Sequence, residues 1–290
     1  MRVGYFGPEG TFTHEALIDA VGGAGRPDLP TPEPVPLPTI YDTVMAVHAG
    51  TVELALVPIE NSLEGSVNAT LDALAIETDE VAIVGEVVHP IRHCLIARTA
   101  LELDQIEAVV SHPQATAQCA RFIRTRLPGA RVLAGSSTAD AVRLVAEHDG
   151  PWAAVANRLA AERYGCRVLL AGVEDVVGNE TRFVWLARDG TPPGAPWGPE
   201  PDLGPWKTAI VFWGVGADAP GWLVACLGEF AARQVNLTRI ESRPRKQGLG
   251  HYMFFLDLEG RDAEQHVADA LAGLRAHVEV VRVLGSFPAS

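Results

Sequence analysis

Lysine is nearly absent from this chain. Of 23 basic residues among 290, only Lys207 and Lys246 are lysines. Residues 1–206 therefore hold no side-chain amine, which excludes pyridoxal or Schiff-base aldolase chemistry based on that stretch. Positive charge is scarce overall, with 36 Asp and Glu leaving a formal net charge of −13 at pH 7. Nucleic acid is not an expected partner, because binding it needs clustered Lys and Arg to displace counterions. No apolar run approaches the roughly 18 residues of a membrane-spanning helix, so no membrane partner is expected. The opening Met1-Arg2-Val3-Gly4-Tyr5-Phe6-Gly7-Pro8 lacks the apolar segment of a signal peptide, and the expected location is the cytoplasm. The four cysteines, Cys94, Cys119, Cys166 and Cys226, form no CxxC pair. No metal site, cofactor or redox couple is expected from them, only reduced, half-buried thiols. GxSxG, HExxH, GxGxxG and the GK[ST] of a phosphate loop are all missing.

What is present is an ordinary globular composition, 48% hydrophobic and 20% charged, long enough for two domains with a substantial core. Charge and composition divide the chain. Residues 1–188 carry a net −10, residues 189–206 carry −3, and residues 207–290 are neutral. The middle segment, DGTPPGAPWGPEPDLGPW, has six prolines and four glycines, a composition unsuited to a helix or a central strand, and is expected to be a linker. A second proline-rich run, 26–38, reads as a surface loop of the first domain.

Within residues 1–188, strand-like runs (2–6, 54–58, 81–88, 94–97, 108–110, 153–156, 168–171, 183–187) alternate with helical patterns (13–21, 39–49, 113–126, 137–148, 158–164). This alternation predicts an α/β domain with mostly parallel sheets and ligand sites at the C-terminal ends of strands. Residues 207–290 read strand, helix, strand, strand, helix, strand, the ferredoxin-like βαββαβ order. Modules of this kind commonly pair through sheet edges.

Four segments place small or hydrogen-bonding groups directly after or at the start of a strand. In Gly7-Pro8-Glu9-Gly10-Thr11-Phe12-Thr13, glycines let backbone N–H groups converge ahead of a helix, making an anion cradle at Gly10 and Thr11 suited to a carboxylate. In Pro58-Ile59-Glu60-Asn61-Ser62-Leu63-Glu64-Gly65-Ser66, Glu60 and Glu64 are candidates for acid–base work, and Asn61, Ser62 and Ser66 for hydrogen bonding. In Ser111-His112-Pro113-Gln114, with Gln118 one turn further on, Gln114 and Gln118 share a helix face. His112 is a general-acid candidate, because histidine titrates near neutrality. In Asn179-Glu180-Thr181-Arg182-Phe183, alternation turns Thr181 and Phe183 to the face opposite Arg182. Arg182 can grip a carboxylate bidentately or salt-bridge a neighbour.

GPEGTF, PIENS, SHPQ with its downstream glutamine, and NETRF, followed by Asn236-Leu237-Thr238-Arg239-Ile240-Glu241-Ser242-Arg243-Pro244, together resemble a monofunctional prephenate dehydratase carrying a C-terminal ACT domain. The resemblance covers nearly the whole chain. It implies a catalytic domain of two lobes, like a type II periplasmic binding protein, over residues 1–188, the linker 189–206, and an ACT regulatory domain over 207–290. It also implies decarboxylative dehydration of prephenate to phenylpyruvate in phenylalanine biosynthesis, with no cofactor and no metal. By the same resemblance Thr181 is essential and the favoured donor to the departing hydroxyl. A hydroxyl that barely ionises leaves Glu60 as a candidate for the proton itself, while Asn61, Ser111 and Gln118 line the cleft. Gly10, Thr11, Ser62, His112 and Arg182 are the further candidates for holding substrate. L-Phenylalanine is the implied effector, at Gly221-Trp222-Leu223-Val224 and Glu241-Ser242-Arg243-Pro244. Trp222 stands where the family usually has a small residue, so it either fills the effector pocket, changes its specificity or points outward. A homodimer, or a tetramer built from dimers, is the implied assembly. Two other readings remain open at this stage: an arogenate dehydratase, and a non-catalytic regulator that binds a ligand in the cleft.

Overall fold

The computed structural model describes residues 1–23, 31–199, 204–214, 216 and 219–290. The first lobe opens with β1 (Arg2–Phe6), α1 (Phe12–Gly23), β2 (Glu33–Leu37), α2 (Ile40–His48) and β3 (Leu54–Asn61). It continues through the short β4 (Gly65–Ser66), α3 (Asn68–Asp72) with a π-helical turn to Glu77, and β5 (Val81–Pro90). The chain then crosses to a second lobe of β6 (Cys94–Ala97), β7 (Ala108–Ser111), α4 (Pro113–Gln118), α5 (Ala120–Arg126) and β8 (Arg131–Ala134). That lobe finishes with α6 (Thr138–Glu147), β9 (Trp152–Ala156), α7 (Arg158–Arg163) and β10 (Arg167–Ala171), and β11 (Glu180–Arg188) returns to the first sheet. The C-terminal unit is β12 (Trp206–Trp213), α8 (Trp222–Ala231), β13 (Leu237–Pro244), β14 (Tyr252–Glu259), α9 (Gln265–Arg275) and β15 (Val280–Pro288).

Three sheets result, in the orders β2-β1-β3-β11-β5, with β4 beside β3, then β10-β6-β9-β7-β8, and β13-β14-β12-β15. The first two are mixed, which corrects the expectation of mostly parallel sheets. β11 runs antiparallel to both β3 and β5, and β6 antiparallel to both β9 and β10. The cause is the double crossing between lobes, since a strand arriving from the other lobe need not follow the βαβ rule that makes neighbours parallel. The run 26–38 is not simply a loop. Its residues 33–37 form β2, parallel to β1 at the sheet edge, where Pro34 and Pro36 leave no ladder unfinished; residues 24–30 lie outside the described residues. The helix expected over 113–126 is two, broken at Cys119, whose backbone leaves the helical region.

The proline-rich 189–199 does not hang free. Ala195 and Trp197 are buried against Trp185, with the two indoles 5.8 Å apart, and Gly194 N–H donates to Val84 O. Residues 200–203 of the expected linker lie outside the described residues. Cys94, Cys119 and Cys226 are buried free thiols, and burial pushes Cys119 up to about 12.

One face of the first sheet packs on α1, and the other carries a core shared with α2, α3 and the C-terminal sheet. Val57, Ile59, Val184 and Leu186 there meet Val211, Phe255, Leu284 and Phe287. At Gly285 the two sheets come so close that a Cβ would collide with the Ile83 carbonyl. Six charges cross this contact. Arg182 reaches Glu60 (3.1 Å), Glu86 (3.1 Å) and Asp257 (2.6 Å), Lys207 reaches Glu86 (2.7 Å), and Arg239 grips Asp257 (3.0 and 3.1 Å). Three cations and three carboxylates balance. Burial pushes the Asp257 carboxyl up, but Arg239 and Arg182 together outweigh it and hold the pKa below the ordinary 3.8. A depressed folded pKa contributes stability that is complete above the unfolded value and withdrawn as acid carries the pH down through the folded one. Asp257→Asn is expected to lower unfolding free energy in urea at pH 7 by ~3–5 kcal/mol, because it strands buried guanidinium charge. Asp149→Asn, which breaks an exposed pair with Arg98, is expected to cost no more than ~1 kcal/mol.

Candidate active site

The C-terminal ends of β1, β3 and β7 and the start of β11 open onto a cleft between the two lobes, with a cavity of about 270 Å³. Its walls include Thr11, Phe12, Thr13, Asn61, His93, His112, Gln114, Gln118, Ser136, Ser137, Thr138 and Thr181, with Phe6, Ile91 and Phe183 supplying apolar surface. No Asp, Glu, Lys or Arg side chain is among the described lining residues. Anion affinity comes instead from hydroxyls, amides and helix ends. α1 enters the cleft at Phe12 and Thr13, α6 at Ser137 and Thr138, and the first-turn N–H groups of a helix have no partner within it. Ser137 caps α6 through the Asp140 N–H (2.9 Å), and Ser136 Oγ donates to Asp140 (2.7 Å), which fixes that end.

Thr181, 8% exposed, sits directly opposite Asn61 across the β3–β11 ladder. Asn61 has a fixed orientation. Its Oδ1 accepts the Leu63 and Glu64 N–H groups (3.0 and 3.1 Å), so the Nδ2 end must be the one that reaches Thr181 Oγ1 (2.9 Å) and Asn179 Oδ1 (2.8 Å). Thr181 oxygen is therefore an acceptor toward Asn61, and its own hydroxyl proton is left for a group in the cleft.

Several expected residues lie elsewhere. Glu60 and Arg182 are cross-strand partners one step from Asn61 and Thr181, so pleating turns them to the opposite face, onto the ion network under the C-terminal sheet. Neither lines the cleft, which corrects proton supply by Glu60 and substrate binding by Arg182. Ser111 is fully buried, with Oγ donating to Val155 O (2.6 Å), and acts as a strand-to-strand tie rather than a cleft group. The Gly10 N–H is taken by His14 Nδ1 (3.0 Å), so the cradle passes to the helix end beyond it. Ser62 Oγ accepts the Glu180 N–H (3.0 Å) and joins β3 to β11 outside the cavity. Thr11, Asn61, His112, Gln118 and Thr181 do reach the cleft, His112 with Nδ1 accepting the Gln114 N–H (3.3 Å). Ser136, Ser137, Thr138 and His93 also line the cleft and were not singled out in the sequence, while Asn179, which opens the NETRF segment, was named without a role of its own. The first three carry the same signal as GPEGTFT, a glycine and hydroxyls between a strand and a helix, whereas His93 sits in a lobe crossing with no sequence pattern.

In the C-terminal unit, Trp222 points inward. Its ring packs on Phe212 and Phe254, and its N–H donates to His277 O (2.8 Å). Ser242 is the ladder partner of Phe254, which brings the segments 221–224 and 241–244 together around one aromatic row. Glu241 accepts from Ser66 (2.8 Å) and Arg243 grips Asp72 (3.0 and 3.2 Å), so both side chains engage the first lobe.

The sequence profile of prephenate dehydratase matches residues 3–191, and that of the ACT domain matches residues 214–276. The chain belongs to the prephenate dehydratase family. The prephenate dehydratase of Amycolatopsis methanolica is 42% identical over 287 residues, covering 99% of this chain and 88% of its own. The crystal structure of prephenate dehydratase from Arthrobacter aurescens in complex with L-Phe superposes with a TM-score of 0.85 at 38% identity, covering 99% of this chain and 90% of that one. A structure of GqqA, described as a novel type of quorum quenching acylase, superposes at 0.82 with 32% identity, covering 100% of this chain and 98% of that one. The α/β two-lobed domain with a ferredoxin-like ACT unit is the architecture expected of the family. Among the described residues no helix is long and apolar enough to cross a membrane.

Ser111→Ala is expected to lower unfolding free energy by ~1 kcal/mol through loss of the buried hydrogen bond to Val155 O. Prephenate turnover per folded molecule is expected to stay unchanged, and a calorimetric melt paired with a steady-state assay checks both.

Proposed function

We propose that this cleft binds the prephenate dianion and expels its 4-hydroxyl with Thr181 as the hydrogen-bond donor. The observation that carries the reading is the direction of the Asn61–Thr181 hydrogen bond, in which the threonine oxygen accepts, so its own proton is free to be donated into the cleft. The ring carboxylate leaves as carbon dioxide, its bonding pair moves into the ring, and the hydroxyl departs with a proton as water. Thr181 is too weak an acid to surrender its proton, so it stabilises charge on the departing oxygen while solvent at the cleft mouth supplies the proton. Aromatisation provides the driving force. The two carboxylates are held by the ends of α1 and α6 and by Gln118, while Thr11, Ser137 and Thr138 add hydroxyls.

Prephenate is favoured over arogenate, because arogenate adds an ammonium group and no carboxylate is among the described lining residues. An acylase reading finds no support here. A serine or threonine nucleophile needs an adjacent base, and no described hydroxyl in the cleft is hydrogen-bonded to a histidine ring.

We further infer that residues 1–188 and 207–290 act as catalytic and regulatory units and that L-phenylalanine binds the second. The effector surface is formed by Gly221, Leu223, Val224, Ser242 and Pro244 beside the Trp222–Phe254 row. Glu241 and Arg243 transmit occupancy to Ser66 and Asp72, which lie on β4 and at the end of α3, just beyond the loop that follows Asn61. The exposed edge strand β13, with Ile240 51% exposed, suits pairing of two ACT units in a cytoplasmic homodimer or a tetramer of dimers. Calorimetry showing no phenylalanine binding would remove the effector assignment.

Asn61→Asp tests the catalytic reading with almost no change of shape. An aspartate accepts where asparagine donates, so it draws the Thr181 proton toward itself. The expected kcat falls about 10²–10³-fold; phenylpyruvate formation near the wild-type rate would sink the role given to Thr181.

A further inference from the structure

His93 lies in the crossing between β5 and β6 and lines the cleft, 1% exposed, edge-on to Phe12 with ring centroids 5.2 Å apart. Its Nε2 is 2.9 Å from Gln118 Oε1, and its Nδ1 is buried with no partner among the described residues. Which ring nitrogen carries the proton can be read from neighbouring groups. The Leu63 and Glu64 N–H groups orient Asn61, and Asn61 Nδ2 then donates to Asn179 Oδ1 (2.8 Å). Asn179 Nδ2 in turn donates to Gln118 Oε1 (3.1 Å). Gln118 Oε1 is thus fixed as an acceptor, and the His93 nitrogen facing it must be a donor. A second proton, on Nδ1, would be a buried charge with no acceptor, and burial pushes the His93 pKa down.

We propose that His93 is a positioning residue for the dehydration: as the neutral Nε2–H tautomer it pins the Gln118 carboxamide oxygen and turns the Gln118 NH₂ toward substrate. Asn179 and His93 approach the same oxygen from the two crossings between the lobes, so Gln118 cannot flip without breaking two hydrogen bonds. The Gln118 Nε2, 3.4 Å from Glu64 at the rim, is left as the donor for an anionic oxygen of the substrate. A flipped amide would present an acceptor to that oxygen and oppose binding of the transition state. With its Nε2–H committed to Gln118 and its Nδ1 buried without a partner among the described residues, His93 orients the amide and transfers no proton in the reaction.

The inference rests on the cleft being the prephenate site, and the experiment separates the two. His93→Leu removes the donor and is expected to lower kcat about 10²-fold, the scale of a small misplacement of a reacting group, with KM much less changed. His93→Gln places an amide N–H near the position of Nε2 and is expected to restore turnover with an unaltered pH profile. In a double-mutant cycle, adding His93→Leu to Gln118→Ala is expected to cost nothing further. Turnover near wild type in His93→Leu, or fully additive losses in the cycle, would overturn the proposal. A His93→Gln enzyme as impaired as His93→Leu, with one limb of its pH profile gone, would also overturn it, since His93 would then move a proton. Should His93→Leu fail to fold, histidine ¹⁵N spectra of the wild type decide instead, with the His93 signals identified by their loss in His93→Gln. The neutral Nε2–H form is expected from pH 7 to 9, and an Nδ1–H form or a cation there contradicts the proposal. If Thr181→Ala and Gln118→Ala both kept full turnover, the reading of the cleft itself would fail; if they lost it and His93→Leu did not, only the present inference would.

Discussion

The structure turns on β11, a strand that returns from the second lobe and inserts antiparallel between β3 and β5. Side chains alternate across a strand, so a single pleated step sets Thr181 in the cleft and Arg182 beneath the ACT sheet. The same step on β3 sets Asn61 beside Thr181 and Glu60 beside Arg182. The proposed chemistry and the interdomain contact therefore fall to adjacent residues on two paired strands. A slip of one residue in that ladder would exchange them, placing a guanidinium in the cleft and a hydroxyl among unpaired carboxylates. The balanced set of three cations and three carboxylates is what makes the observed register costly to leave.

The cleft solves an electrostatic problem created by composition. A chain of net charge −13 repels a dianion at long range, and the cleft offers it no cation among its described lining side chains. Attraction is confined to oriented dipoles: the helix ends at Phe12 and Thr138, hydroxyls, and amides whose directions are set from fixed backbone N–H groups. Such groups need not reorganise as charge migrates from a ring carboxylate to a departing hydroxyl, which is the property that lowers a barrier. Neutral donors also suit product loss, since phenylpyruvate keeps one of the two negative charges.

Much of this was legible in the sequence, for definite physical reasons. A strand such as 94–97 is a short, wholly apolar run between His93 and Arg98, and GPEGTF, IEN and TRF sit at strand ends where chemistry concentrates. Thr181 and Phe183 were correctly placed opposite Arg182 by alternation. The destination of Arg182 was not readable, because a buried ion network is assembled from residues as far apart as 60, 86, 207, 239 and 257, and no periodicity connects them. β2 was hidden by Pro34 and Pro36, which are permitted at a sheet edge although they forbid a central strand. Ser111 looked like a cleft group because it ends β7 beside His112, yet that serine turns inward to Val155. His93 lies in an irregular crossing, where its placement depends on where two lobes meet and not on any local pattern, and NETRF marks Asn179 without showing that its amide reaches Gln118.

The claim at the centre of this account is that Thr181 directs its proton at the hydroxyl of a substrate whose carboxylates rest on the ends of α1 and α6. A crystal structure of the enzyme with a stable, non-aromatising prephenate analogue tests it directly. The account predicts the analogue hydroxyl within hydrogen-bonding distance of Thr181 Oγ1, with Asn61 Nδ2 still donating to that oxygen and one carboxylate at each helix end. A hydroxyl bound at His112 or Glu64, with Thr181 donating back to protein, would contradict it.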